Sequence, residues 1–138
     1  MSTSGIESRR KDMARTGLAY VYVSVFLALF GAVYEYFSHG VFSYYMAYAF
    51  GFTLAGGALP FFHIAFSRAH LLGRDCLNLY HAGIATLSAG SLFQGALEIY
   101  GTSNRLTCVY WIVGTALLLI AVALWALDAR GNHARPRR

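Results

Sequence analysis

Residues 17–37 read GLAYVYVSVFLALFGAVYEYF, a run of 21 residues whose only charge is Glu35. A helix rises ~1.5 Å per residue and a bilayer's hydrocarbon layer is ~30 Å thick, so ~20 apolar residues suffice to cross it. Three further runs have comparable length: 42–66, 77–99 and 107–127, with 25, 23 and 21 residues. Backbone groups in lipid must be satisfied within the segment, and runs this long suit helices rather than the short alternating strands of a barrel. The fold class expected is therefore an all-α integral membrane protein of four transmembrane helices. The first run exceeds the apolar core of a secretion signal and lacks a small-x-small cleavage pattern, so it reads as a retained helix.

The whole chain of 138 residues is 57% hydrophobic and 12% charged, with a net charge of +5. Its basic residues are placed by topology. Arg9, Arg10, Lys11 and Arg15 precede the first run, Arg68 and Arg74 lie between the second and third, and Arg130, Arg135, Arg137 and Arg138 follow the fourth. Only Arg105 falls in the alternate set of loops. Positive residues are retained on the cytoplasmic side, so both termini are expected inside a multi-pass protein of the cell membrane. Segments 1–16 and 128–138 then read as short basic cytoplasmic tails flanking one domain, 17–127. Basic residues confined to span ends suit anionic headgroups, and nucleic acid is not an expected partner. Cys76 and Cys108 fall at opposite ends of their spans, roughly a membrane apart, and do not read as a disulfide.

Residues 29–35, LFGAVYE, return at 92–98 as LFQGALE, and an ungapped offset of 63 also aligns Gly51 with Gly114 and Ala58 with Ala121. This pattern reads as a tandem duplication of a helical hairpin. Two hairpins of the same sense form a parallel repeat about an axis along the membrane normal. That symmetry would put Glu35 and Glu98 at one depth near the outer surface. Two carboxylates held close repel one another, which favours a bound cation or a shared proton, and intramembrane acids are functional candidates by default. The plainer expectation is an interfacial pair, with Glu98 bound to Arg105 and Glu35 bonded to a nearby tyrosine.

On the third run His81, Ser88, Ser91, Gln94 and Glu98 follow at steps of 7, 3, 3 and 4, which places them on one helical face. Such a stripe lines a water path or binds neighbouring helices, with Gly83, Gly90 and Gly95 allowing close approach. In the second run, GGALP puts Pro60 four residues after Gly56, whose carbonyl loses its donor. A hinge at Gly56, Gly57 and Pro60 follows. Tyr34, Tyr36, Tyr44, Tyr45 and Tyr48 crowd the outer ends, where rings anchor at the interface and can also face a cation.

His63 and His81 lie about one turn inside adjoining span ends, a placement that would suit two axial ligands of a b-type haem. A zinc site from His63, His70, Cys76 and His81 follows no recognised ligand spacing. No cofactor is expected on balance, and neither a phosphate loop, a zinc-protease helix nor a nucleophile elbow marks an enzyme. The sequence thus points to a small transporter or channel-like protein for a cation, proton or cationic amphiphile. Its site residues would be Glu35, Glu98, Gln94, Ser91, Ser88, Tyr34 and Tyr48. The alternatives are a non-catalytic membrane subunit or scaffold, alone as a homo-oligomer or with other membrane subunits, and a b-type haem protein.

Overall fold

The computed structural model describes residues 3–67 and 73–133, all helix and short turns among those residues. Helix α1 runs Thr3–Phe37. A second rod, Tyr44–Phe66, is built from α2 (Tyr44–Ala47), α3 (Phe50–Thr53), a π-helical turn (Leu54–Ala58) and α4 (Leu59–Phe66). Helix α5 is Arg74–Ile99, and a 3-10 turn (Arg105–Thr107) leads into α6, Cys108–His133. Arg68, His70 and the last three arginines lie outside the described residues.

Three of the four rods, α1, the second rod and α6, are long and apolar enough to cross a membrane. Helix α5 matches α6 at 26 residues and is not among them, because polar side chains from His81 to Glu98 interrupt it. Packing compensates for that polarity. Helix α1 packs along the whole second rod, α2, α3 and the π turn pack on α5, and α5 and α6 form a close antiparallel pair. The polar helix is thus flanked by apolar ones. Its buried residues include Gly83, Ser88, Gly90, Ser91 and Gly95.

The glycines set these approaches. A Cβ on Gly83 would meet Leu118 at 2.8 Å, and one on Gly114 would meet Leu87 at 2.7 Å, so α5 and α6 cross almost backbone to backbone. The resulting distribution is the reverse of a water-soluble bundle. Ser43, Ser91, Thr53 and Ser24 are buried, whereas Phe26, Leu29, Ile112 and Leu119 are each more than 60% exposed. An exposed apolar surface this extensive needs an apolar covering.

From Thr3 onward the basic N-terminal segment is part of the first helix. Its Arg10 guanidinium donates to the carbonyl of Ile64 at 2.9 Å and to that of Ser67, and so caps the C-terminus of α4. Unpaired carbonyls and the negative end of the helix dipole both favour a cation there. The second rod carries a π turn, Leu54–Ala58, at Gly56 and Gly57 just before Pro60, and is helical on both sides of it. At the offset of 63, Ala123 stands where Pro60 does, and α6 runs unbroken.

Candidate functional site

Two turns bring the acids together. Helix α1 ends at Phe37, and His39 and Gly40 take positive φ values of 56° and 89° to reverse the chain. Ser38 N–H donates to the Glu35 carbonyl at 3.1 Å and holds the last turn closed. Helix α5 ends in a Schellman closure: Gly101, with φ 70°, donates to the Glu98 carbonyl at 3.0 Å, and Thr102 donates to that of Leu97 at 2.9 Å. Each acid therefore stands in the fixed final turn of its helix.

Between them lies Ser43, wholly buried at the start of α2. Its backbone N–H donates to Glu35 Oε1 at 3.4 Å, and its hydroxyl donates to Glu98 Oε2 at 2.7 Å. The hydroxyl oxygen accepts from Met46 N–H, capping α2, and the Ser43 carbonyl accepts from Ala47 N–H. One serine thus uses every polar group it has, two of them on carboxylates from different helices. Both carboxylates are half-buried, and among the described residues neither has a basic partner. Arg105 and the nearby tyrosines, the partners expected from sequence, are replaced by Ser43.

The rest of the stripe divides by function. Ser91 donates to the Tyr45 carbonyl at 2.7 Å across to α2, while Ser88 donates to Ile84 of its own helix at 2.9 Å. With Gly83, Gly90 and Gly95 in close contact with their neighbours, the stretch from Gly83 to Gly95 is a packing seam. Gln94 is half-buried beside it. Tyr34 and Tyr48, grouped by the sequence, line separate cavities. Tyr34 faces one of about 440 Å³ with Phe30 and Tyr100, and Tyr48 one of about 520 Å³ with Tyr45 and Trp111.

A second polar cluster lies ~25 Å along α5 from Glu98, at the rise of one helix over 17 residues. His81 Nδ1 and the Tyr20 hydroxyl are 2.7 Å apart, and Phe61 stacks on both rings. His63 has other neighbours: it lines an apolar cavity of about 290 Å³ with Cys76, Tyr80 and Trp125. Among the described residues no group of three His, Cys, Asp or Glu side chains is placed to hold a metal ion. The fourth residue of the zinc set, His70, lies outside the described residues.

The π turn has its own partner. The Gly56 carbonyl, which Pro60 cannot serve, accepts from the Tyr80 hydroxyl at 2.5 Å. An unpaired carbonyl in an apolar interior is costly, so Tyr80 satisfies it and helps fix the π turn. Tyr80→Phe is expected to lower stability by ~1 kcal/mol, the scale of interhelical hydrogen bonds in membranes. The loss should shrink in a Pro60→Ala background, where a restored N–H can serve Gly56. Thermal unfolding of the four proteins in detergent measures this coupling.

Sequence reasoning missed Ser43, Tyr20 and Tyr80. Ser43 carried a usable signal, a serine directly before a helical stretch. The two tyrosines carried none, since they are two of ten spread through apolar runs. Comparison with protein-family models, with curated proteins and with solved structures finds no match.

Proposed function

We propose that the chain is a four-span membrane protein with both termini cytoplasmic, and that it admits a cation or proton through an acid site at its outer mouth. The observation that carries this reading is the convergence of Glu35 and Glu98 on Ser43. Both acids stand at helix C-termini, where the dipole adds negative potential, and both lack a basic partner among the described residues. A bound cation or proton supplies the missing positive charge. The inside-out distribution of apolar surface and the ten-to-one bias of basic residues support the bilayer and the orientation.

The test is flux in reconstituted vesicles under an imposed potential. Glu35→Gln and Glu98→Gln are each expected to lower cation or proton flux at least tenfold, and unchanged flux in the double variant would overturn the proposal. The orientation has a separate test. Cys108 is exposed at the start of α6, whereas Cys76 is buried with its thiol on the Ala121 carbonyl at 3.0 Å. A membrane-impermeant maleimide is expected to label intact cells at one thiol, and Cys108→Ser should abolish the labelling.

The seam between Gly83 and Gly95 favours a second reading, in which the stripe serves only helix packing and the chain is a subunit or scaffold of a membrane complex. A monodisperse monomer in detergent, with no co-purifying membrane protein, would count against that reading.

A further inference from the structure

Three elements bring aromatic rings to one groove. Tyr45 and Tyr48 come from α2 and its end, Phe52 from α3, and Trp111 from α6. The Trp111 ring lies 5.9 Å from Tyr45 and 5.7 Å from Phe52, tilted at 57° and 58°. Rings at these angles are tilted against one another and not stacked face to face. The open groove offers about 520 Å³, within the range of small-ligand pockets, and Ser91 and Gly51 are among its lining residues. The space beside Gly51 is open: a Cβ there would meet nothing within 4 Å.

Charge decides what such a groove would hold. No basic side chain lines it. Ser43, which joins both acids, directly precedes Tyr44 and Tyr45 of its wall, and Glu98 follows Ser91 by seven residues on α5, ~10 Å along the axis. Rings attract cations through their negative faces, and the attraction strengthens where water is excluded. A strongly hydrated metal ion gains little from such walls. A cation with a methylated or alkylated nitrogen gains both ring contact and apolar burial.

We propose that this groove binds a small organic cation of the quaternary-ammonium class, drawn to this end of the bundle by Glu35 and Glu98. The inference rests on the cation reading of the acid site, but it concerns equilibrium binding and not flux. The experiment uses the full chain in an uncharged maltoside detergent, with Trp125→Phe leaving Trp111 as the one tryptophan. Choline is titrated against its neutral carbon isostere, 3,3-dimethylbutan-1-ol. The expected result is a saturable change in Trp111 fluorescence with choline, at least fivefold tighter than with the isostere. Gly51→Leu, which adds bulk at a lining residue whose Cβ would meet nothing within 4 Å, should abolish it. Calorimetry on the unaltered chain repeats the comparison without relying on Trp125→Phe. No saturable response to choline, or an equal response to the isostere, would overturn the proposal. Choline binding without acid-dependent flux would leave the groove and remove the transport reading, and flux without choline binding would do the reverse.

Discussion

Gly95→Ala is expected to cost the folded protein about 3 kcal/mol, at the upper end of the usual range for overpacking a tight contact. An alanine Cβ would lie 2.6 Å from Met46 N, 2.8 Å from Met46 Cβ and 2.9 Å from Met46 Cα. Two of those three atoms are backbone, so a change of rotamer gives no relief. Nor can Met46 retreat. On its other side is α1, where a Cβ on Gly31 would already lie 2.8 Å from the Met46 carbonyl oxygen. Met46 is 1% exposed between two glycines of different helices, and moving it would drag Ser43 from the acids. Thermal unfolding in detergent measures the loss, with Gly51→Ala as the control. That position is helical with open space around it, so alanine there should be neutral or slightly stabilising. Equal midpoints for the two variants would refute the pinch.

Ser43→Ala is expected to cost a similar amount, also about 3 kcal/mol, for a different reason. Loss of the cap on α2 contributes ~1 kcal/mol. The rest comes from Glu98, whose half-buried carboxylate loses a 2.7 Å donor; hydrogen bonds to charged groups are worth roughly 1.5–3 kcal/mol. Glu98→Gln provides the contrast. Its side-chain oxygen still accepts from Ser43, so stability should fall by less than ~1 kcal/mol while the charge is gone. Ser43→Ala should therefore lower the unfolding midpoint and flux together, and Glu98→Gln should lower flux almost alone. A Ser43→Ala protein as stable as the parent would mean that the serine does not hold the two helices.

Much of the architecture was legible before any coordinates. Run length and apolar content located the rods, and Pro60 after Gly56 and Gly57 marked the stretch that carries the π turn, because backbone hydrogen bonding in a helix is local to four residues. The stripe from His81 to Glu98 was legible through helical spacing. What it faces was not, since a face can be read from periodicity but its partner cannot. The basic start of the chain illustrates the same limit. Arg10 looked like a topology signal alone, and its carbonyl partners lie 54 and 57 residues away.

The acids show the division most clearly. Sequence alone determined that Glu35 and Glu98 each stand near the end of a long helix, a consequence of run length and composition, which are properties of neighbouring residues. Only the tertiary structure decided that they share a partner, because Ser43 stands 8 residues from one and 55 from the other. That meeting depends on how closely three helices approach at Met46. The two glycines that permit it, Gly31 and Gly95, act through absent atoms, and an absent side chain leaves no periodic signal of its contact.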